Sequence, residues 1–164
     1  METFKQNLQL LKPLSMGVIS KVAIPAKTRI FEFSGDILTT KELATRHPSD
    51  VVDFLQIGKD LWRSKSGTFD DYIAHSCNPN CYVFIVGNRA ILTTLYDIKP
   101  GMEITWDWST TSTETKEQWS MDCKCGYIKC RKTISGFQYL PTNIQKQYRE
   151  QGILPSYVLP YVKD

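Results

Sequence analysis

The sequence predicts a small, mostly β domain with short helices, and three observations support this fold class. Apolar runs rich in Val, Ile and Phe alternate with turn signals along the first two thirds of the chain. No long amphipathic helix separates these runs, which favours antiparallel pairing of neighbouring strands. The 164 residues suffice for one domain. A chain of this size buries roughly 70% of the surface that its unfolded form exposes.

The predicted strands are arranged as hairpins around turn residues. Gly87-Asn88 between two apolar runs is the strongest hairpin signal, because a tight turn favours positive φ. Gly58-Lys59 and Lys99-Pro100-Gly101 mark two further turns. The predicted strands are Gly17 to Ile24, Thr28 to Leu38, Asp53 to Ile57, Leu61 to Ser64, Cys81 to Val86, Arg89 to Leu95 and Met102 to Trp108.

Two short helices complete the prediction. The first spans about Thr40 to Arg46 and ends at His47-Pro48. The second runs from about Thr142 to Gln151, with Thr142 as its N-cap and with Gly152 and Pro155 as its stop signals.

The charge balance gives no electrostatic case for DNA or RNA binding. The net charge of +3 comes from 20 basic and 17 acidic residues, without a Lys- or Arg-rich run. The apolar stretch from Leu8 to Leu11 is too short for a signal-peptide core or a membrane span. We therefore expect an intracellular protein, cytoplasmic or nuclear, that binds neither membranes nor nucleic acid directly.

The five cysteines indicate a metal site. Disulfides are not expected in a reducing compartment, and an odd count leaves one thiol over. Cys123, Cys125 and Cys130 form a C-x-C-x4-C pattern of thiolates, the usual ligands of structural zinc. A tetrahedral site needs one more ligand, and either Cys77 or Cys81 could supply it. The alternative is a set of separate reduced thiols in a core, since buried cysteines are common.

Five motifs in chain order resemble the SET-domain family. Tyr72 to Asn80 resembles the family signature N-H-S-C-x-P-N, and Gly101 to Trp108 resembles G-E-E-L-T-Y-D-Y. Cys123 to Ile134 resembles the post-SET element C-x-C-G-x3-C-R-G-x-I. Ser15 to Val18 is similar to G-x-G-V, and Glu32 to Asp36 is similar to E-Y-x-G-E.

The resemblance implies a SET fold of small antiparallel sheets, in which the two central motifs form a knot-like crossing. It also implies a C-terminal post-SET zinc loop and a terminal helix. We accordingly predict a SET-like domain over residues 1–120, the zinc-binding element over 121–137 and a helical extension over 138–164, which we expect to pack on the core. In the family, the cysteine of the H-S-C motif joins the post-SET cysteines on zinc. The implied ligands of Zn2+ are Cys77, Cys123, Cys125 and Cys130, and Cys81 is left free.

The resemblance further implies S-adenosylmethionine (AdoMet) as the cofactor. Met16 and Gly17 would offer backbone groups to it, and a side chain at Gly17 would block its close approach. His75 would meet the adenine end, and Phe137 could cover the adenine ring. Ala74 replaces the family asparagine and so loses polar contacts to the cofactor. Met16 and Phe137 could instead be core residues.

The departures from the family pattern concentrate on the catalytic positions. The tyrosine that orients the acceptor amine is replaced by Trp108, and a second family tyrosine falls on Phe54. An indole N–H donates a hydrogen bond but cannot accept one. Trp106 stands where the family uses Tyr or Phe to limit how many methyl groups fit. A replacement hydroxyl could come from Tyr72, Tyr82 or Tyr139.

Three functions agree with these residues. The leading prediction is AdoMet-dependent methyl transfer to a protein lysine or another amine. The second is a SET-fold protein without lysine methylation that binds or transforms a small molecule in an aromatic pocket. The third is a module that binds an already methylated lysine between Trp106 and Trp108. Alternatively, both tryptophans are core residues that pack on a buried strand without a functional role.

Overall fold

The protein is mostly β in a computed structural model that describes residues 4–11, 17–46 and 54–163. Within these ranges two α-helices are present, α1 (Thr40–Leu43) and α2 (Thr142–Glu150). The strands are β1 (Leu8–Leu11), β2 (Gly17–Ser20), β3 (Arg29–Glu32), β4 (Ile37–Thr39), β5 (Leu55–Gln56), β6 (Leu61–Arg63), β7 (Ala74–His75), β8 (Cys81–Val86), β9 (Arg89–Thr94), β10 (Thr105–Trp106), β11 (Ser120–Asp122) and β12 (Thr133–Ser135). Short 3-10 helices lie at Phe4–Asn7, Phe69–Tyr72, Trp108–Thr110, Phe137–Tyr139 and Leu159–Tyr161.

The described strands form small sheets, as predicted. The largest has the order β3-β9-β8-β10-β7, and a second has the order β4-β6-β5. Two further pairs are β1-β2 and β11-β12. The pairings are antiparallel except those of β10, which runs parallel to both of its neighbours. The predicted class of small, mostly antiparallel sheets is confirmed, with one parallel strand added.

Strand β10 lies between the two strands that flank the His75-to-Cys81 loop. Trp106 pairs with His75 on one side and with Cys81 on the other. The Asn80 side chain holds this arrangement, because its amide nitrogen donates to the Glu103 carbonyl over 2.7 Å and its oxygen accepts from the Thr105 N–H over 2.9 Å. The two central motifs therefore interleave, which is the crossing that the resemblance implies.

The hairpins follow the predicted turns. β8 and β9 pair along their length, and Gly87 in their turn has φ +56°. β5 and β6 also form an antiparallel pair, with narrower bounds than predicted. The predicted start of β5 at Asp53 lies outside the described residues.

Two predicted strands of the N-terminal half are interrupted or end early. The run from Thr28 to Leu38 forms two strands in different sheets, since the chain bends at Gly35 with φ +102°. A Cβ at Gly35 would overlap the Ser64 carbonyl, so only glycine fits this bend. The predicted strand from Gly17 stops at Ser20, and Ile24 makes only an isolated bridge to Ile98.

The prediction that a strand runs from Met102 to Trp108 is also wrong for most of its length. Only Thr105–Trp106 forms a strand, and the preceding Glu103 makes an isolated antiparallel bridge to Ile19. Asp107 caps a 3-10 helix that starts at Trp108, because its carboxylate accepts the Ser109 N–H over 3.1 Å. Trp108 therefore leaves the sheet instead of continuing it.

The two helices lie close to their predicted positions. α1 begins with a capping box between Thr39 and Glu42 and is shorter than predicted, while His47-Pro48 lies outside the described residues. The cap of α2 is Pro141, so the expected N-cap, Thr142, is the first helical residue instead. Gly152 follows the helix with φ +67°, as its role as a stop signal requires. Within the described ranges, no helix is long and apolar enough to cross a membrane.

The C-terminal extension builds a second hydrophobic core beside the main one. Its buried members are Phe137, Leu140, Tyr148, Ile153 and Val158. The Tyr157 hydroxyl ties the extension to the main body, since it lies 2.9 Å from the Gln56 carbonyl and 2.8 Å from the Thr111 carbonyl. The extension thus packs against the domain.

Candidate active site and metal centre

Four cysteines converge where the His75-to-Cys81 loop meets the loop between β11 and β12. The Sγ atoms of Cys77, Cys123, Cys125 and Cys130 all lie within 4.8 Å of one another. Those of Cys77 and Cys123 are 3.6 Å apart. Tetrahedral zinc with Zn–S bonds of about 2.3 Å places its sulfur atoms about 3.8 Å apart. The spacing fits a four-thiolate site, and the chain brings together the four predicted ligands.

Donors around the cysteines suit thiolates. The Arg131 N–H points to the Cys77 Sγ over 3.5 Å, and the Lys132 N–H points to the Cys130 Sγ over 3.3 Å. Burial raises the pKa of Cys125, but hydrogen bonds from the backbone of Cys77 and Tyr127 and from the Cys123 and Cys130 thiols together bring this pKa down to about 6. Burial raises the pKa of Cys77 and of Cys123 when no metal is bound. Such outer contacts orient metal ligands and stabilise their charge.

Cys81 lies apart from this cluster in the main core. It is 1% exposed, and burial raises the pKa of its thiol far above the ordinary range. A neutral, buried thiol packs as a small apolar residue. It is the cysteine that the resemblance leaves free.

Lys132 holds the loop in a conformation that normally requires glycine. Its φ is +66°, at the position where the post-SET element of the family has glycine. The Cys123 N–H donates to the Lys132 carbonyl over 2.7 Å, which fixes this geometry next to the metal ligands. The lysine therefore keeps the backbone shape of the loop at the expense of steric strain.

We expect Lys132→Gly to stabilise the protein by about 1 kcal/mol, because glycine adopts the left-handed conformation without a Cβ clash. Urea unfolding at a fixed zinc concentration measures this change. Lys124→Gly is the matched control, since Lys124 is an exposed lysine of the same loop without positive φ. It should destabilise slightly through the entropy of the unfolded chain. An equal loss of stability in both variants would contradict the interpretation that the positive φ of Lys132 strains the loop.

The buried Asp107 carboxylate joins the metal loop to the C-terminal helix. Arg131 donates to its Oδ1 over 2.8 Å, and the Tyr148 hydroxyl donates to its Oδ2 over 2.9 Å. The Asp107 side chain is 0% exposed, and that of Arg131 is 12% exposed. An ion pair with so little solvent is sensitive to the loss of either partner. Asp107 therefore connects β10, the cysteine loop and α2.

His75 is neutral in this setting. Burial lowers its pKa to about 4. The negative charge of Asp107 opposes this shift, and the positive charge of Arg131 adds to it. The 3.5 Å contact between His75 Nδ1 and Asp107 is for this reason no ion pair. Nδ1 accepts the Trp108 N–H over 3.2 Å, which assigns the ring proton to Nε2. Nε2 lies 3.5 Å from the Cys77 Sγ, where its proton can be donated to a thiolate.

Aromatic side chains from separate parts of the chain surround one cavity of about 100 Å³. Three of the four predicted catalytic residues, Phe54, Trp106 and Trp108, line it. Trp62 and Trp119, which the motifs did not single out, complete the wall. The crossing of the central motifs directs Trp106 inward, where it is 6% exposed and packs edge-on against Phe33, with ring centroids 6.3 Å apart.

The fourth predicted catalytic residue lies elsewhere. Tyr72 packs against the main core and does not line the cavity. Tyr82 packs on the second core, and Tyr139 is exposed, with the Lys116 ammonium over its ring. No tyrosine is among the described residues that line the cavity. None of the three proposed replacement hydroxyls reaches it in this structure.

The predicted cofactor residues are only partly described. Gly17 opens β2 beside Glu103, whose carboxylate a Cβ at Gly17 would overlap. Ala74 and His75 form β7, and the His75 ring lies 5.8 Å from the Trp108 ring. Phe137 is fully buried in the second core, which leaves no ring face for an adenine in this structure. Met16 lies outside the described residues.

Several residues of the site lie outside the motifs. Asp70 and Asp71, which share the cavity wall, precede the H-S-C motif, and Trp119 precedes the C-x-C pair. Tyr148 lies on α2, far along the sequence from its partner Asp107. An isolated Trp or Tyr carries no spacing signal, so sequence reasoning had no means to place these residues.

The crossing, the cysteine cluster and the motif order are those of a SET-domain protein. A family model described as "SET domain" matches residues 15–109, which is more than half of the chain. The chain therefore belongs to the SET-domain family.

Curated relatives match most of the chain. It is 26% identical to the histone-lysine N-methyltransferase TRX1 of Oryza sativa subsp. japonica, over 81% of this chain and 14% of that protein. It is 30% identical to an H3 lysine-36 specific histone-lysine N-methyltransferase of Cryptococcus neoformans, over 79% of this chain and 17% of that protein. The chain thus spans less than a fifth of the length of these two relatives.

Solved structures support the same fold. SUVH6 of Arabidopsis thaliana in complex with SAM matches with a TM-score of 0.65 at 21% identity, over 78% of this chain and 33% of that one. KRYPTONITE in complex with mCHG DNA and SAH matches with a TM-score of 0.62 at 23% identity, over 79% of this chain and 29% of that one. At these identities the likeness establishes the fold, and the predicted SET fold is confirmed.

Proposed function

We propose that this chain is a SET-type methyltransferase that binds AdoMet and transfers its methyl group to an amine of a protein lysine or of a smaller molecule. The observation that carries this proposal is the position of Trp108. Its side chain lines the aromatic cavity, while its ring and its backbone N–H both contact His75 on the predicted cofactor side. The acceptor and cofactor positions therefore adjoin at one residue. The SAM named with SUVH6 and the methyltransferase names of the relatives support the same reaction class.

The described residues agree with such a cofactor. The exposed Glu103 carboxylate beside Gly17 can accept hydrogen bonds from ammonium or hydroxyl groups of a ligand. When bound, AdoMet supplies a methyl carbon on a positively charged sulfur. The chain's own residues have to hold the acceptor nitrogen in line with that carbon and exclude water. The indole rings around the cavity can do both, but they accept no hydrogen bond from the amine.

We further propose that zinc occupies the four-cysteine cluster in a structural role. Four thiolates leave no open position for a water or a substrate, which is typical of structural sites. The cluster contacts the active site through His75 and Cys77. Zinc would thereby fix the loop that positions His75 beside Trp108.

Native mass spectrometry of the purified chain, with and without AdoMet, tests the cofactor. One zinc and one AdoMet per chain are expected. Zinc without AdoMet at millimolar cofactor would contradict the methyltransferase proposal and favour a repurposed pocket. No zinc would contradict the metal proposal.

Substitution of Trp108 tests the acceptor side. We expect Trp108→Tyr to raise the methylation of a primary lysine amine by about ten-fold or more, because a hydroxyl can accept from the amine N–H while positive charge develops on the attacking nitrogen, and a hydrogen bond to a charged group contributes about 1.5–3 kcal/mol. Single-turnover methylation of histone peptides with labelled AdoMet measures the effect. Trp108→Phe is the matched control, since it enlarges the cavity without adding an acceptor. Equal rates for the Tyr and Phe variants would show that the hydroxyl is not what limits lysine methylation.

A further inference from the structure

A second cavity forms a groove between the cysteine loop, which joins β11 to β12, and the helix α2. Its volume is about 400 Å³, a size at which proteins bind ligands. Tyr127, Lys129 and Arg131 line it on the side of the loop. The groove shares no lining residue with the aromatic cavity, and none of the described residues that we expect to hold the cofactor lines it. It is therefore separate from the site that the proposed function uses.

The α2 side of the groove presents a row of uncharged amides. Asn143, Gln147 and Gln151 all line the groove, and their spacing of four places them on one face of the helix. The side-chain amides of Asn143 and Gln147 have no hydrogen-bond partner among the described residues. Each amide offers two donors and one acceptor oxygen. These groups match the C=O and N–H groups of an extended peptide backbone.

The loop side of the groove is basic. The stretch from Cys123 to Lys132 contains four basic residues and no acidic one. Arg131 is neutralised by its ion pair with Asp107. The other three are exposed and form no ion pair with a described residue: Lys124, Lys129 and Lys132. The cysteine sulfur atoms lie beneath this surface, where backbone N–H groups contact them. The exposed charge on this side is therefore positive.

The remaining contacts available in the groove are apolar. No acidic side chain is among the described residues that line it. Tyr96 and Tyr127 line it with partly exposed rings, and aromatic residues are enriched where proteins contact partners. Ile128 follows Tyr127 and is 92% exposed, more than any other large hydrophobic side chain of the described ranges. A ligand with negative charges and an apolar side chain fits these surroundings.

From these two sides we infer that the groove between the cysteine loop and α2 docks an acidic peptide segment of a partner protein. The carboxylates of the segment contact the unpaired lysines, its backbone contacts the amides of α2, and an apolar side chain packs on Tyr127. This inference goes beyond the proposed function, because the docked segment is acidic and is not the amine that accepts the methyl group.

Fluorescence anisotropy of the purified full chain with a labelled peptide tests the docking. The probe is a peptide of about ten residues in which glutamates flank two leucines, long enough to follow a groove of this kind. We expect the same peptide with glutamine in place of every glutamate to bind at least ten-fold more weakly, because it lacks the complementary charge. The affinity of the acidic peptide should also fall as salt is added.

A single-stranded oligonucleotide of similar length distinguishes a peptide partner from a nucleic acid. It carries the negative charge of the acidic peptide but no peptide backbone for the amide row. We expect it to compete more weakly than the unlabelled acidic peptide at equal salt.

Substitutions on both sides locate the binding to the groove. Lys129→Glu should weaken the acidic peptide roughly three- to ten-fold, and Gln147→Glu roughly two- to five-fold, because each places negative charge beside the peptide. The matched controls are Lys21→Glu and Gln9→Glu, which make the same changes at exposed positions outside the groove. They should leave the affinity unchanged. Native mass spectrometry checks that each variant keeps the metal content of the unaltered chain.

Four results would overturn the inference. They are no binding of the acidic peptide at millimolar concentration, a neutral peptide that binds as tightly, an oligonucleotide that competes more strongly, or an unchanged affinity in folded Lys129→Glu and Gln147→Glu variants. If Lys129→Glu does not fold, Gln147→Glu on the exposed face of α2 and the peptide series still decide. No probe requires AdoMet, so failure here is distinguishable from failure of the proposed methyl transfer.

Discussion

Replacing Cys123 with serine is expected to remove the bound zinc and to produce the largest loss of stability of any single change considered for this chain. Structural zinc sites bind with about 10–16 kcal/mol of apparent free energy, and a missing thiolate forfeits much of it. We expect the midpoint of thermal unfolding to fall by about 10 °C or more, since each kcal/mol shifts it by about 2–4 °C at this size. Native mass spectrometry and a thermal melt measure the two effects.

Cys81→Ala is the matched control for this change. Cys81 is a buried cysteine of the same chain that lies outside the four-thiolate cluster. The variant should retain one zinc and lose only about 1 kcal/mol, the typical effect of a small core substitution. A Cys123→Ser variant that keeps its full zinc content would show that the cluster does not hold the metal. A Cys81→Ala variant without zinc would show that Cys81 is a metal ligand and that the ligand set given above is wrong.

Asp107→Asn is expected to destabilise the protein by about 3–5 kcal/mol, because it leaves the Arg131 guanidinium mostly buried without a counter-charge. The change keeps the size of the side chain, so packing is largely preserved. Arg131 and Tyr148 both bind this carboxylate, and its loss would loosen the cysteine loop and α2 together. Urea unfolding at constant zinc measures the effect.

A double-mutant cycle separates the lost charge pair from other causes. Arg131→Met in the Asp107→Asn background should recover part of the lost stability, since the unpaired charge is then gone. Asp36→Asn is the control at an exposed aspartate and should change stability by less than about 0.5 kcal/mol. A coupling energy near zero would mean that the two side chains do not stabilise each other in solution.

The hairpins could be predicted well because their signals are local. A Gly-Asn turn between two apolar runs specifies β8 and β9 without any distant contact. The breaks in longer strands could not be predicted so well. Gly35 ends a strand because a carbonyl of Ser64 lies against it, and Asp107 ends β10 because it caps the next turn. Both causes depend on neighbours that only the fold supplies.

The same division holds for the site. The sequence by itself determined the family, the order of the motifs, the cysteine pattern and the replacement of the acceptor tyrosine by Trp108. These are properties of residue identity and short spacing. The spacing of the cysteines left Cys77 and Cys81 open as the fourth ligand, because both precede the other three by more than forty residues; the resemblance implied Cys77, and the tertiary structure brings Cys77 to the cluster. It also placed Trp62 and Trp119 with Trp106 and Trp108 around one cavity, and it set Asp107 between Arg131 and Tyr148. The physical reason is that such contacts form between residues far apart in sequence, where the crossing of the chain, and not local preference, sets the distance.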